Sequence, residues 1–215
     1  MAAGHSLDLV WGGAPPGDAT GAMVLVHGRG ADAASILGLA RELDVADLTW
    51  VAPQATHNTW YPYSFLAPLH QNEPWLTSAL EVLAATVGQL AARGFSIDRI
   101  HLAGFSQGGC LVSEFLVRHA RRYAAGLVFT GGVIGPAGTP REHEGRFEGT
   151  PIFLGCGDND PHVPLWRVDE TADLFTAMGA QVTKRVYPGR PHTILPDEIA
   201  QANRLLRGRG PATVH

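Results

Sequence analysis

Short apolar runs, rich in β-branched residues, recur along this chain of 215 residues and alternate with longer stretches of helical periodicity. Several runs are continuously apolar, as in MVLVH at 23–27, GLVFT at 126–130 and PIFLG at 151–155. Such runs are typical of strands that are buried on both faces of a sheet. The alternation therefore predicts an α/β fold, with a mostly parallel central sheet and helices on both of its faces.

Seven strands and five helices follow from this pattern. The predicted strands span 7–11, 23–27, 48–52, 100–103, 126–130, 151–155 and 182–187. The predicted helices span 32–44, 73–94, 107–124, 165–179 and 195–208, and Asp32 is the expected N-cap of the first. We expect a single domain over residues 1–207 and a polar C-terminal tail over 208–215.

Charge and composition argue against several classes of protein. The net charge is −4, and no basic face is evident, so nucleic acid is not an expected partner. The opening residues lack the basic and apolar regions of a secretory signal, and no apolar run approaches the ~20 residues of a membrane span. We therefore expect a cytoplasmic protein with no stable membrane insertion. Cys110 and Cys156 are expected to be buried, reduced thiols.

The sequence GFSQG at 104–108 is a G-x-S-x-G motif between a predicted strand and a predicted helix. A serine at such a sharp turn is the nucleophile elbow of an α/β-hydrolase. The turn requires a strained residue at Ser106, and Gly104 and Gly108 keep Cβ atoms out of the crossing between strand and helix. The competing interpretation is a glycine-rich turn that carries an exposed serine.

A serine hydroxyl needs a base to take its proton, and a carboxylate to orient that base. In this fold the chain order is serine, acid, histidine. GDNDPHVP at 157–164 offers Asp158 and Asp160 as acids, and YPGRPHTI at 187–194 offers His192 as base. Each candidate follows a different strand, at the sheet edge where ligands bind. His162 is a rival base, but it lies too near the acids in sequence to be oriented by them.

Acyl transfer also requires donors for the tetrahedral oxyanion. The N–H of Gln107, directly after the serine, is one expected donor. The loop in VLVHGRGAD at 24–32 supplies the other through the N–H of Arg29, with glycines on both sides that let the backbone approach a substrate. The Arg29 side chain either attracts an acidic group of the substrate or forms a surface salt bridge.

The segment 57–75 is dense in aromatic residues: Trp60, Tyr61, Tyr63, Phe65 and Trp75. We expect Trp60, Tyr61, Phe65 and Trp75 to form an apolar wall of the substrate pocket. The alternatives are a self-packed loop over the sheet edge and a dimer contact. The sequence has no H-x-x-x-H pair or paired-carboxylate spacing, so we expect neither a metal nor a cofactor.

Taken together, VLVHGRGAD, IHLAGFSQGG, GDNDPHVP and YPGRPHTI resemble, in the same order, the motifs of the phospholipase/carboxylesterase family, which includes the acyl-protein thioesterases. The resemblance covers nearly the whole chain. It implies an α/β-hydrolase without a large cap domain. It also implies Ser106 as nucleophile, Asp160 as acid, His192 as base, and Arg29 and Gln107 as oxyanion donors. This chain has HGRGAD where the family's eukaryotic thioesterases usually have HGLGD. The loop sequence NTWYPYSFLAP, with NEPWL, looks more like a bacterial branch of small esterases.

We therefore expect a serine carboxylesterase that acts on a small-molecule ester, with short-to-medium acyl or aromatic groups, through an acyl-enzyme. A first alternative keeps the same triad for acyl-thioesters or lysophospholipids. A second alternative is a non-catalytic member of the fold that binds a small ligand. A homodimer is a further expectation, since small members of such families often dimerise.

Overall fold

The computed structural model describes residues 4–141 and 144–208. Its strands are β1 (Leu9–Gly13), β2 (Gly21–Val26), β3 (Leu48–Pro53), β4 (Ile100–Phe105), β5 (Ala125–Phe129), β6 (Pro151–Gly157) and β7 (Gln181–Tyr187). Its helices are α1 (Ala33–Ala40), α2 (Trp75–Ala92), α3 (Gln107–Arg118), α4 (Leu165–Ala177) and α5 (Pro196–Leu206). All the predicted strands and helices are present. Of the predicted tail, residues 209–215 lie outside the described residues.

The strands form one sheet in the order β1-β3-β2-β4-β5-β6-β7. β1 pairs antiparallel with β3, and every other neighbouring pair is parallel. The fold is therefore an α/β fold with a mostly parallel sheet, as predicted. Because the parallel strands point the same way, the loops after β2, β4, β6 and β7 all emerge at one edge of the sheet.

Two hydrophobic cores lie on opposite faces of this sheet. Alternate residues of β2 divide between them: Val24 belongs to the core with α2, α3 and α4, and Met23 to the core with α1 and α5. Successive side chains of a strand point to opposite faces, so α2, α3 and α4 cover one face and α1 and α5 the other. Burial on both faces explains the continuous apolar runs. The two thiols, Cys110 and Cys156, are buried and unpaired.

The boundaries of some elements differ from the sequence prediction. Helix α3 ends at Arg118 instead of residue 124, because the chain turns after it and the Tyr123 N–H donates to the Thr150 hydroxyl instead of continuing the helix. Helix α1 ends at Ala40 instead of residue 44, while its predicted N-cap, Asp32, accepts the Ser35 N–H as expected. Strand β1 begins two residues later than predicted.

Helix α2, with 18 residues and a mean hydropathy of 1.2, is long and apolar enough to cross a membrane by composition alone. This differs from the expectation that no run approaches that length. In the structure, one face of α2 is buried in the core, including Leu76, Leu83 and Leu90. Burial of a full apolar face against a sheet is the environment of a core helix.

Candidate active site

The G-x-S-x-G motif forms the turn between β4 and α3, with Ser106 at its apex. Ser106 has φ 55° and ψ −120°, a left-handed conformation that costs free energy for a residue with a side chain. A Cβ on Gly104 would come within 2.4 Å of the Gly108 carbonyl oxygen, and a Cβ on Gly108 within 2.1 Å of the Val26 carbonyl oxygen. Both contacts are shorter than packing allows, so the two glycines are required for the serine to stand at this turn.

The side chains of Ser106, His192 and Asp160 form one chain of hydrogen bonds. His192 Nε2 lies 2.8 Å from Ser106 Oγ, and His192 Nδ1 lies 2.7 Å from Asp160 Oδ2. Both distances are those of direct hydrogen bonds. The structure therefore brings together the three residues that the sequence nominated, from the loops after β4, β6 and β7, in the geometry of a nucleophile, its base and an orienting acid.

The Asp160 carboxylate is buried and fully hydrogen-bonded. Besides His192, it accepts the N–H of His162 at 2.8 Å and of Val163 at 2.9 Å, both at Oδ1. Burial alone would raise the pKa of this carboxyl, but the hydrogen bonds from His192, Val163 and His162 outweigh burial and lower it. Asp160 is thus ionised beside the imidazole, as an orienting acid must be.

Asp158 and His162, the rival acid and base, have other contacts. Asp158 Oδ1 accepts the Gly189 N–H at 2.8 Å, which ties the β6 loop to the loop that carries His192. The His162 ring is exposed and packs edge-on against the His192 ring, with 4.7 Å between centroids. In the described contacts, Asp160 is the aspartate that bonds the His192 imidazole, and neither Asp158 nor His162 forms a hydrogen bond with Ser106.

A buried ion pair, not identified from the sequence, supports the His192 loop. The Arg190 guanidinium pairs with Glu198 of α5 and also donates to the Thr130 hydroxyl after β5. Both charged side chains are fully buried. Burial raises the pKa of Glu198, and the Arg190 charge opposes that rise. Because Arg190 lies two residues before His192, the ion pair anchors the loop that carries the imidazole.

The two expected oxyanion donors flank the serine. Gln107 is the first residue of α3, where an N–H has no partner within the helix, and the macrodipole favours negative charge. In the described part of the chain, neither the Gln107 N–H nor the Arg29 N–H has a protein acceptor. The loop of Arg29 is fixed by buried His27, which bonds the Gly28 carbonyl through Nδ1 and accepts the Ala55 N–H through Nε2.

The Arg29 side chain contacts the backbone of the aromatic segment, and its expected attraction of an acidic substrate group stays a prediction. No carboxylate of a described residue lies within ion-pair distance, so the expected salt bridge is not formed. The guanidinium instead donates to three consecutive backbone carbonyls, those of Tyr61, Pro62 and Tyr63, at 2.8, 2.9 and 2.8 Å. Those carbonyls belong to the aromatic segment that faces the serine.

A cavity of about 460 Å³ opens over Ser106. Its walls combine polar and apolar side chains: Arg29, Tyr61, Pro62, Tyr63, Ser64, Phe65, Gln107, Cys110, His162, Val163 and His192. Tyr61 and Phe65 line it as expected. No group of three or more His, Cys, Asp or Glu side chains in the described ranges is arranged to hold a metal ion.

Trp60 and Trp75, also expected in the substrate wall, do not line the cavity over Ser106. Trp60 is completely buried and its indole N–H donates to the His27 carbonyl at 2.9 Å, so it packs behind the cavity instead of lining it. Trp75 begins α2 and lines a second, smaller cavity on the other side of the segment, where it also contacts the His5 ring. The aromatic segment is therefore partly a self-packed loop, which was one of the alternatives.

The model of the phospholipase/carboxylesterase family matches residues 14–208. The chain belongs to this family. A solved phospholipase/carboxylesterase from Dyadobacter fermentans is 44% identical, with a TM-score of 0.93, and the alignment covers 96% of this chain and 99% of that one. The solved esterase PE8 is 25% identical, with a TM-score of 0.79 and coverage of 94% and 98%.

The chain is also similar to curated eukaryotic proteins. Acyl-protein thioesterase 1 of Gibberella zeae is 30% identical over 137 residues, which make up 55% of this chain and 51% of that protein. The chain thus matches only about half the length of this fungal relative. The family model and the solved relatives confirm the predicted family and the α/β-hydrolase fold.

Proposed function

We propose that this member of the phospholipase/carboxylesterase family is a serine carboxylesterase. It hydrolyses small carboxylic esters, with short-to-medium acyl or aromatic groups, through an acyl-enzyme on Ser106. The observation that carries the proposal is the unbroken hydrogen-bond chain from Ser106 Oγ through His192 to Asp160. Ser106 and His192 line a cavity that is large enough for a small ester.

In the first half-reaction, Ser106 Oγ attacks the ester carbonyl carbon while His192 Nε2 takes the hydroxyl proton. The carbonyl oxygen becomes an oxyanion, and the N–H groups of Gln107 and Arg29 stabilise it. The bond to the leaving alcohol then breaks, and His192 returns the proton to the alkoxide. Asp160 stays ionised throughout and stabilises the imidazolium, which its lowered pKa favours.

In the second half-reaction, water takes the place of the alcohol. His192 removes a proton from the water as it attacks the acyl carbon of the Ser106 ester. The second tetrahedral intermediate uses the same two oxyanion donors. Its collapse releases the carboxylic acid, and the proton held by His192 returns to Ser106 Oγ. Every proton is accounted for by Ser106, His192, water and the two products, so the proposal requires no cofactor.

A second candidate is hydrolysis of acyl-thioesters by the same residues. The similarity to the fungal acyl-protein thioesterase favours it, since the triad chemistry does not depend on whether oxygen or sulfur leaves. The cavity, with Arg29, Ser64, Gln107 and His162 among its walls, instead favours small polar or aromatic substrates over long alkyl chains. Cytoplasmic location and a homodimer stay predictions.

The test is a set of initial rates on p-nitrophenyl esters from acetate to palmitate, with a thioester of matched acyl length, for the wild type and Ser106→Ala. We expect the wild type to be most active on short-to-medium esters, and Ser106→Ala to lose about 10³-fold or more in kcat. A preference for the matched thioester would favour the second candidate. Near-normal turnover by Ser106→Ala, or no activity on any substrate, would contradict both.

A further inference from the structure

The segment of residues 60–63, called here the partition, separates two cavities. Tyr61 and Pro62 line the catalytic cavity over Ser106 and also a second cavity of about 200 Å³. The other walls of the second cavity are Thr56, His57, Thr59 and Trp75. Displacement of the partition would therefore join the second cavity to the catalytic one.

The Arg29 guanidinium holds the partition from the side of the oxyanion loop. Its three hydrogen bonds to the carbonyls of Tyr61, Pro62 and Tyr63 are all between 2.8 and 2.9 Å. A guanidinium offers five N–H donors in a planar fork, whereas a lysine ammonium carries its three donors on a single nitrogen at the end of a flexible chain. Hydrogen bonds from a charged donor are also the stronger ones.

The Gln107 side chain holds the same segment from the side of the nucleophile elbow. Its Oε1 accepts the Trp60 N–H at 3.0 Å and its Nε2 donates to the Tyr61 carbonyl at 2.9 Å. The Tyr61 carbonyl thus accepts from Gln107 and Arg29 together. Beyond the partition, the buried Asn72 amide accepts the Tyr63 N–H at 2.9 Å. Each residue of the partition is therefore held by at least one hydrogen bond to a side chain or carbonyl outside it.

We propose that Arg29, assisted by Gln107, determines the length limit of the substrate by keeping the partition closed between the two cavities. The two residues expected to bind the oxyanion through their main chain would use their side chains to fix the wall against which the substrate packs. Arg29 is a specificity-determining residue in this account. The second cavity is the space that a longer apolar chain enters when the partition is released. The inference rests on the proposed esterase function.

The test compares Arg29→Met, which keeps the length of the side chain and removes the donors, with Arg29→Lys, which keeps the charge and loses the fork. Arg93→Met is the matched control, because Arg93 is exposed at the far end of α2, where it stacks on Trp11. The kcat/KM ratio for p-nitrophenyl decanoate over acetate is measured for each protein. We expect it to rise at least about tenfold in both Arg29 variants and to stay unchanged in Arg93→Met.

A second readout, amide hydrogen exchange of the peptide that covers 58–66, does not depend on activity. We expect faster exchange there in Arg29→Met, with exchange in β4 and α3 unchanged. Unchanged exchange in the partition overturns the inference, whether or not the protein is an esterase. An unchanged chain-length ratio in a folded Arg29→Met also overturns it, as does a KM increase confined to esters that carry a carboxylate. Absence of ester hydrolysis by the wild type would refute the proposed function, but not the role of Arg29 in holding the partition.

Discussion

The buried pair of Arg190 and Glu198 supports a quantitative prediction for the variant Arg190→Met. Methionine fills a similar apolar length but leaves the Glu198 carboxylate without its cation in a fully buried site. The other partner of Glu198 is the Leu195 N–H, at 3.3 Å, which is too weak a bond to replace a guanidinium.

Breaking a buried ion pair by removing one partner costs about 3–5 kcal/mol, because an uncompensated charge stays buried. For a chain of this length, 1 kcal/mol corresponds to about 2–4 °C in Tm, so the expected loss is roughly 6–20 °C. The loss is a large share of the 5–15 kcal/mol or so by which a typical domain is stable. We therefore expect Arg190→Met to fold at low temperature and to unfold well below the wild type.

The pH dependence of this loss gives a second check. Burial already raises the pKa of Glu198, and removal of the Arg190 charge removes the influence that opposes the rise. A carboxyl whose pKa is raised in the folded state binds more protons folded than unfolded, so stability falls as pH rises above the unfolded pKa. The free energy of unfolding that Arg190→Met loses relative to the wild type should therefore be smaller near pH 5 than near pH 8.

The assay is urea unfolding of the wild type, Arg190→Met and the double variant Arg190→Met/Glu198→Leu at pH 5 and pH 8. The double variant removes both charges and should recover much of the lost stability. A loss of stability below about 1 kcal/mol in Arg190→Met, or a double variant that is no more stable than Arg190→Met, would refute the reasoning. Because Arg190 fixes the loop of His192, we also expect kcat of Arg190→Met to fall by about 10²-fold below its unfolding range.

Two further predictions concern the elbow and the acid. Gly108→Ala should destabilise the protein by about 3 kcal/mol or prevent folding, because its Cβ meets the Val26 carbonyl. The control Gly88→Ala, on the open face of α2, should stabilise the protein by up to about 1 kcal/mol. Urea unfolding measures both effects. Equal effects would contradict the packing argument. Asp160→Asn should lower kcat by about 10⁴-fold on a short ester, whereas Asp158→Asn, which keeps its carbonyl acceptor for Gly189, should change it by less than about tenfold.

The sequence was most informative where a local requirement is strict. The glycines around Ser106 are demanded by contacts of 2.4 Å or less, so the motif alone predicts the elbow. The positions of Asp160 and His192 follow from strand order, because parallel strands end at the same edge. Both inferences depend on backbone geometry that few residue types permit.

The sequence was less informative where the direction of a side chain decides its role. A dense run of aromatic residues predicts an apolar wall, but it does not indicate that Trp60 turns inward to the His27 carbonyl. The hydrogen bonds of the Arg29 guanidinium could not be predicted from the sequence, because they depend on the positions of the carbonyls of 61–63 in the folded chain. The Arg190–Glu198 pair joins a loop to a helix across the end of β6, and charge spacing along the chain carries no signal of it. The arginine in YPGRPHTI indicates a charge near the expected base, but it does not identify Glu198 as its partner.

The central claim, that Ser106 is an activated nucleophile, can be tested most directly by covalent labelling. A fluorophosphonate is incubated with the wild type, Ser106→Ala and His192→Ala, and intact mass and peptide mapping locate the adduct. We expect one adduct on Ser106 in the wild type, none in Ser106→Ala, and slow labelling in His192→Ala. Labelling of Ser106→Ala at the wild-type rate, or an adduct on another residue of the wild type, would contradict the account.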